Sequence, residues 1–231
     1  MTAVAIIVGA GQGLRFQSKS QTTPKQFFKL AGQLLIIRAL QPFIASEDID
    51  KCIAVVPQEA VDWFKEEVAR KTSGETVRVM NGGVRRQDSV RRGVEAASGA
   101  DVVVIHDAVR PFVRPEWIST VINLCNRHDG AVLAIPASDT LKKVVDGRIS
   151  RTINRDNIWQ AQTPQAFKRD ILLQAYDSVK WETLRVTDEA QLLEITGKEL
   201  VIAAGSSENI KITTQEDWAR AKVIWEQRYG D

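Results

Sequence analysis

The sequence has few of the residues that build metal centres and disulfide scaffolds. It contains two cysteines, Cys52 and Cys125, and two histidines in 231 residues. Neither cysteine belongs to a C-x-x-C motif, which favours two buried free thiols over a disulfide or a zinc site. No apolar run reaches the ~18 residues of a membrane span, and no basic segment precedes an apolar stretch at the N-terminus. We therefore expect a cytoplasmic protein without a membrane partner.

The sequence also has no excess of charge of one sign. Lys and Arg number 31, Asp and Glu number 29, and the formal net charge is +2. Such a balance creates no overall field for nucleic acid or an anionic membrane. Nucleic acid is not an expected partner, and any anion-binding site must be local.

Short runs of branched aliphatic residues, separated by helical patterns, predict the fold class. The runs cover residues 4–8, 53–56, 77–80, 102–105 and 131–135, and helical patterns cover residues 61–70, 88–97 and 115–128. This alternation predicts an α/β fold with three layers, in which helices cover both faces of a mostly parallel, twisted sheet. Sheets of this type bind ligands at the carboxyl ends of their strands.

Two patterns in the second half add detail to a single domain spanning residues 1–231. Around Asp146-Gly147, two short branched segments predict a tight hairpin, which we interpret as an arm at about residues 137–157. Thr213 and Glu216 resemble a capping box that opens a last helix. That helix places Trp218, Ala221 and Trp225 on one apolar face. No internal repeat or long linker divides the chain.

A glycine-rich loop follows the first predicted strand. It reads Gly9-Ala10-Gly11-Gln12-Gly13-Leu14-Arg15, and its backbone N–H groups could surround a phosphate with Arg15 as the counter-charge. Leu14 and Phe16 break the dinucleotide fingerprint, and the Gly-Lys-Ser/Thr of a P-loop is missing. Lys25, in Thr23-Pro24-Lys25-Gln26, could place an ammonium over the same phosphates. A ligand-free turn and a solvated lysine are the alternatives.

Asp107 follows a strand of branched residues, so its carboxylate should emerge at the ligand-binding edge of the sheet. Mg²⁺ takes one or two protein carboxylates together with phosphate oxygens and waters, so one aspartate beside a triphosphate is enough. The alternative is an aspartate that only caps the following turn. His106 lacks an accompanying Gly-x-Ser-x-Gly elbow or reactive cysteine motif, and we interpret it as structural.

Two further segments contain polar or glycine residues that could belong to a site or could be purely structural. Gly82 and Gly83 would let a flat base approach the backbone, with Ser89 offering a hydroxyl and Arg86 bracing the loop, or they form a plain turn. Lys211 interrupts a predicted short strand, Ile210-Lys211-Ile212, where a charge usually lies on the solvated face.

Taken together, these blocks resemble the sugar nucleotidyltransferases, and specifically the 2-C-methyl-D-erythritol 4-phosphate cytidylyltransferase family. The resemblance runs from residue 4 to about residue 213. It is carried by Gly-x-Gly-x-Arg and Pro-Lys-Gln at the start, and then by Gly82-Gly83, Arg86-Gln87-Asp88-Ser89-Val90, His106-Asp107-Ala108-Val109-Arg110-Pro111, Asp139-Thr140, Gln162-Thr163-Pro164-Gln165, Thr187-Asp188-Glu189-Ala190 and Asn209-Ile210-Lys211-Ile212-Thr213.

The resemblance implies a Rossmann-like nucleotidyltransferase that moves CMP from CTP to 2-C-methyl-D-erythritol 4-phosphate, with Mg²⁺ as cofactor, in isoprenoid precursor biosynthesis. It also implies a homodimer in which the arm crosses to the partner subunit. The implied catalytic residues are Arg15, Lys25, Arg155 and Lys211, and the implied metal ligand is Asp107. The implied nucleotide-binding residues are Gly9, Ala10, Gly11, Gly13, Gly82, Gly83, Arg86, Ser89, Asp107 and Ala108. The implied acceptor-binding residues are Asp107, Arg110, Thr140, Arg155, Thr163, Thr187 and Lys211.

The sequence departs from the family pattern at two positions. Gly9 stands where an alanine is more usual, and Val84 stands where many members carry an acidic residue. The ribitol-5-phosphate cytidylyltransferases share several blocks, but Asp139-Thr140-Leu141-Lys142 and residues 155–159 look more like the methylerythritol enzymes. A non-catalytic CTP sensor would not need Lys25, Asp107 and Lys211 together. An oxidoreductase is disfavoured by the broken dinucleotide fingerprint.

Overall fold

The computed structural model describes residues 1–11, 23–72, 77–181 and 183–230. Its strands are β1 (Ala3–Val8), β2 (Lys29–Leu30), β3 (Gln33–Leu34), β4 (Lys51–Val56), β5 (Val77–Asn81), β6 (Val102–Asp107), β7 (Gly130–Pro136), β8 (Leu141–Val145), β9 (Arg148–Ile153), β10 (Trp159–Lys168) and β11 (Leu200–Ala204). Its α-helices are α1 (Leu35–Ile44), α2 (Val61–Lys71), α3 (Arg86–Ala96), α4 (Pro115–Leu124), α5 (Arg169–Asp177), α6 (Glu189–Ile195) and α7 (Gln215–Tyr229). None of these helices is both long and apolar enough to cross a membrane.

Seven strands form one central sheet in the order β11-β7-β10-β6-β1-β4-β5. Neighbours pair in parallel except β10, which runs antiparallel to both β6 and β7. Alternate residues of β1 enter separate apolar clusters, as Ile7 packs with α1, α2 and α4 while Ile6 packs with α3, α5 and α6. The three-layer, mostly parallel α/β fold predicted from the aliphatic runs is therefore confirmed.

The structure corrects two local predictions near the C-terminus. Residues around Lys211 form no strand, although Ile210 and Ile212 are buried in a third cluster with α7. The capping box of α7 lies one residue later than predicted, because Thr214 accepts from the backbone of Asp217 while Asp217 caps in return. Ala221 is fully buried in that helix, which supports the apolar face assigned to it.

The predicted hairpin is present as a separate two-stranded sheet formed by β8 and β9. Asp146 and Gly147 have φ values of 48° and 76°, the left-handed backbone that a two-residue hairpin turn requires. Val144, Val145 and Ile149 on this arm are 54%, 53% and 67% exposed. The arm thus presents apolar side chains that this chain does not cover.

His106 organises the carboxyl end of β6. Its Nε2 lies 2.9 Å from the carbonyl oxygen of Arg110, and its Nδ1 lies 3.0 Å from Thr163 Oγ1. Thr163 Oγ1 also accepts from the backbone N–H of Asp107 at 3.1 Å. One neutral tautomer satisfies all of these contacts, with Nε2–H donating to the carbonyl and Nδ1 accepting from the hydroxyl. Burial lowers the pKa of His106 to about 4, so the ring is neutral at physiological pH.

This burial predicts a pH dependence of stability. Because the pKa of His106 is about 4 in the folded state and about 6.5 in an unfolded chain, the unfolded state gains the proton first as the pH falls. The free energy of unfolding should drop by about 2 kcal/mol from this residue between about pH 8 and about pH 5. Urea unfolding of the wild type and of His106→Gln across this pH range measures the drop in the free energy of unfolding. The variant should show a flatter profile, and equal slopes in both proteins would contradict the assignment.

Candidate active site

Two cavities meet at the end of β6. The larger, about 890 Å³, is lined by residues 9–11 of the glycine loop, Lys25, residues 57–59, residues 82–86 and Ser89. The smaller, about 210 Å³, is lined by Arg110, Thr163, Gln165, Thr187 and neighbours from β10 and the α6 entry. Both cavities are also lined by Arg86, Asp107 and Lys211. These shared residues mark the junction where ligands in the two cavities would touch.

The glycine loop is tied to the Pro24-Lys25-Gln26 segment through a buried amide. Gln26 is 2% exposed, and its Nε2 donates to the carbonyl oxygens of Gly9 at 2.6 Å and Gly11 at 3.0 Å. Lys25 Nζ donates to the carbonyl oxygen of Ile212 at 2.8 Å. Lys25 thus reaches the wall of the larger cavity, which Lys211 also lines, and its role at a phosphate stays a prediction. Gly13 and Arg15 lie outside the described residues.

Missing Cβ atoms allow the loops around the larger cavity to pack closely. A side chain at Gly82 would collide with Ala10 and lie 2.7 Å from Ser89 Oγ, and one at Gly83 would collide with Asp88. Ser89 Oγ accepts from the backbone N–H of Gly83 at 3.0 Å, so this hydroxyl already holds the loop.

Ala108 lies beneath the loop rather than on the cavity wall. Ala108 is fully buried, and a Cβ added at Gly9 would lie 3.1 Å from the Cβ of Ala108. Its backbone N–H donates to the carbonyl oxygen of Val8 at 3.0 Å. In this structure Ala108 therefore supports the floor of the larger cavity.

Three cations surround the Asp107 carboxylate at the junction. Lys211 Nζ lies 2.8 Å and Arg110 Nε 3.6 Å from Oδ2, and Arg86 Nε lies 3.2 Å from Oδ1. The side chain of Asp107 is 8% exposed. Burial alone would raise the pKa of Asp107, but Arg86, Lys211 and Arg110 outweigh it and hold that pKa well below its usual range. The carboxylate is therefore ionised throughout the physiological range.

Arg86 connects Asp107 to a second buried carboxylate that the sequence did not single out. Glu189, 1% exposed, is the first residue of α6, and its Oε1 and Oε2 lie 3.2 Å and 2.9 Å from Arg86 Nη1. Burial disfavours the charge on Arg86, but Glu189 and Asp107 outweigh it and raise the pKa of Arg86. Burial raises the pKa of Glu189, and Arg86 opposes that rise. Glu189 carried no sequence signal beyond its place in a family-like block.

Lys211 reaches the junction because its segment is anchored on either side. Asn209 is fully buried and donates to the carbonyl oxygen of Thr163 at 2.9 Å, while its own carbonyl accepts from Arg110 Nη1 at 2.6 Å. The backbone N–H of Ile212 donates to the carbonyl oxygen of Val109 at 3.0 Å. Tertiary hydrogen bonds, rather than a strand, therefore direct this lysine toward Asp107.

The remaining predicted acceptor-side residues divide into two groups. Thr163 and Thr187 line the smaller cavity, although the hydroxyl of Thr187 contacts Gln191 Oε1 at 3.2 Å. Thr140 and Arg155 are exposed at the base of the arm, where Arg155 donates to the carbonyl oxygen of Ser138. Neither of the latter lines a cavity at the junction. This chain alone does not bring the arm residues to the site.

The side chains at the junction can be compared with the ligands that the predicted Mg²⁺ ion would need. Within the described ranges, no three His, Cys, Asp or Glu side chains are grouped to hold a metal ion. Mg²⁺ is commonly held by one or two carboxylates plus substrate phosphates. Asp107, ionised and bordering both cavities, fits a Mg²⁺ ion shared with a polyphosphate and does not fit an all-protein site.

The chain is similar to a group of curated enzymes along almost all of its length. The sequence is 41% identical to 2-C-methyl-D-erythritol 4-phosphate cytidylyltransferase of Aquifex aeolicus over 220 residues, covering 95% of this chain and 96% of the relative. It is 38% identical to the enzyme of the same name from Syntrophus aciditrophicus over 230 residues, covering 98% and 97%.

Solved structures and a family model agree with these relatives. The 4-diphosphocytidyl-2C-methyl-D-erythritol synthase of Anaerococcus prevotii superimposes with a TM-score of 0.84 at 30% identity, covering 98% of this chain and 99% of that chain. The Francisella tularensis 2-C-methyl-D-erythritol 4-phosphate cytidylyltransferase gives a TM-score of 0.80 at 30% identity, covering 97% and 100%. Because the model of the 2-C-methyl-D-erythritol 4-phosphate cytidylyltransferase family also matches residues 3–227, this chain belongs to that family.

Proposed function

We propose that the protein transfers CMP from CTP to 2-C-methyl-D-erythritol 4-phosphate, giving 4-diphosphocytidyl-2-C-methyl-D-erythritol and pyrophosphate for isoprenoid precursor synthesis. The observation that carries this proposal is the junction of a large and a small cavity at Asp107, with Arg86 and Lys211 on the shared wall. A nucleotide in one cavity and a small phosphate ester in the other would place their phosphates against the same cations.

The reaction requires no protein nucleophile. An oxygen of the acceptor phosphate attacks the α-phosphorus of CTP, the new P–O bond forms, and the bond to the departing pyrophosphate breaks. The acceptor is already an anion, so the difficulty is to bring two anions together. Positioning and charge stabilisation by fixed cations lower that barrier.

The residues divide between the two substrates. Arg15, Lys25 and the glycine loop bind the triphosphate, with Gly82, Gly83 and Ser89 beside the nucleoside. Arg110, Thr163, Thr187 and Lys211 bind the acceptor from this chain. Thr140 and Arg155 bind it from the arm of a partner subunit.

Asp107 is the residue that would hold Mg²⁺ together with the triphosphate. When bound, the ion neutralises charge on the phosphates and orients them. Lys211 occupies Oδ2 of Asp107 here, and its side chain is 38% exposed, so it has room to turn toward an acceptor phosphate. Asp107 thereby sets the position of both the metal and the lysine.

The arm supports a homodimer with shared active sites. It carries exposed Val144, Val145 and Ile149, which a second subunit would cover, and it holds Thr140 and Arg155 away from the cavities of its own chain. Both cysteines are free thiols, which suits a reducing compartment such as the cytoplasm.

The function is tested by pyrophosphate release from CTP and Mg²⁺ with 2-C-methyl-D-erythritol 4-phosphate or D-ribitol 5-phosphate offered separately. ATP, GTP and UTP serve as nucleotide controls. Release that requires both CTP and the methylerythritol phosphate is the expected result. Release with ribitol phosphate alone, or CTP binding with no release from either acceptor, would overturn the proposal.

Lys25→Ala should reduce kcat by about 100-fold, because removing one donor that stabilises the transition state costs about 3 kcal/mol. Steady-state pyrophosphate release measures this loss. Lys65→Ala is a matched control, since Lys65 is an exposed residue of α2 whose ammonium pairs with the surface residue Asp62 and lines neither cavity. Near-normal turnover in Lys25→Ala would show that Lys25 is not a catalytic residue.

Arg155→Ala should raise the KM for the acceptor phosphate more than the KM for CTP, since separate groups bind the two substrates. If the arm serves the partner, mixing this variant with Lys25→Ala should also restore activity. Random exchange of subunits leaves about a quarter of the sites intact, each combining Lys25 of one chain with Arg155 of the other. Equal effects on both KM values, or no recovery on mixing, would contradict the shared arm.

A further inference from the structure

A buried carboxylate is an unexpected component of a site built for anions. Glu189 is 1% exposed and is separated from Asp107 by one guanidinium, that of Arg86, which lines the junction of the two cavities. Burying a charge is costly unless the charge is paired, and a negative charge here weakens the attraction of the site for phosphates. Glu189 therefore needs a role that offsets both effects.

The start of α6 does not need the Glu189 side chain for its own stability. Asp188 already caps this helix, because its Oδ1 accepts from the backbone N–H of Gln191 at 3.0 Å. The apolar residues Ala190, Leu192 and Leu193 anchor the helix to the sheet. Both carboxylate oxygens of Glu189 instead accept from Arg86, a residue of α3 that lies 103 positions away in sequence.

Arg86 lies where its guanidinium can contact ligands in both cavities. Its side chain is 29% exposed, it lines both cavities, and its Nε donates to Asp107 Oδ1 at 3.2 Å. Nη1 is directed to Glu189 and Nε to Asp107, so two carboxylates define the plane of the guanidinium. Without Glu189, the contact with Asp107 alone would leave the guanidinium of Arg86 free to rotate.

We propose that Glu189 is a positioning residue for nucleotidyl transfer, which acts by holding Arg86 between the nucleotide and acceptor cavities. Arg86 then stabilises charge on the transferring phosphoryl group and keeps Asp107 in place. The inference rests on the proposed function, because it assigns a role within that reaction. The pair of Glu189 with Arg86 also connects two parts of the site. Thr187, two residues before Glu189, lines the proposed acceptor cavity, and Arg86 begins α3 beside the proposed nucleotide cavity.

The proposal predicts an unusual division between kcat and KM in Glu189→Gln. The variant keeps the shape of the side chain and removes a buried negative charge, so the resting site becomes more positive. Ground-state binding of the anionic substrates should be unchanged or stronger, and neither KM should rise. The less well oriented Arg86 should lower kcat by about 10- to 100-fold, the loss common for residues that orient a functional group. General damage to the fold would instead raise both KM values.

A double-mutant cycle separates action through Arg86 from an independent effect. Arg86→Met should lower kcat, and adding Glu189→Gln should cause no further loss, because the group that Glu189 holds is already gone. The double variant should also have a higher Tm than Arg86→Met alone, since the single variant leaves Glu189 buried and unpaired. Glu95→Gln is the matched control. It breaks an Arg–carboxylate pair of 2.9 Å on the same helix, formed with Arg91, and should have wild-type kinetics.

The experiment measures pyrophosphate release with CTP and 2-C-methyl-D-erythritol 4-phosphate for all variants, with Tm recorded for each. A wild type without activity would refute the proposed function itself. With an active wild type, the positioning role is overturned by an unchanged kcat in Glu189→Gln, by raised KM values, or by additive losses in the double variant. If Glu189→Gln does not fold, Glu189→Asp keeps the charge but shortens its reach, and it should show the same loss of kcat without a rise in KM.

Discussion

The site depends on one carboxylate placed among three cations. Asp107 ends β6 and contacts Arg86, Arg110 and Lys211, which come from α3, the turn after β6 and the segment before α7. Without a central anion these cations would repel one another, and with it they can gather before any substrate binds. The same carboxylate is the proposed Mg²⁺ ligand, so under the proposed function the preorganised cluster and the metal site share one residue.

Neutral hydrogen bonds hold the backbone of Asp107 in place beneath this cluster of charges. His106, whose pKa burial lowers to about 4, accepts from Thr163, and Thr163 in turn accepts from the backbone of Asp107. Gln26 and Asn209 use buried amides in a similar way, tying the glycine loop and the Lys211 segment to the core. Neutral groups avoid the desolvation cost of buried ions, which leaves the charges for the substrates.

The sequence predicted the features that depend on local pattern. Buried parallel strands appear as apolar runs, so β1, β4, β5, β6 and β7 were predicted. Two strands of the central sheet were missed: β10, whose Gln and Thr residues interrupt the apolar pattern, and the edge strand β11. Glu189 and Gln26 had no assigned role, since their partners are 103 and 17 positions away. The binding roles of individual residues stay predictions. Gly13 and Arg15 themselves lie outside the described residues.

If Asp107 holds Mg²⁺ beside the triphosphate, the effect of Mg²⁺ on CTP binding should depend on the Asp107 carboxylate. Calorimetric titration would compare wild type and Asp107→Asn, each with Mg²⁺ and with a chelator. We expect Mg²⁺ to strengthen CTP binding in wild type only. A variant that retains the full response to Mg²⁺ would contradict the assignment of the metal to Asp107.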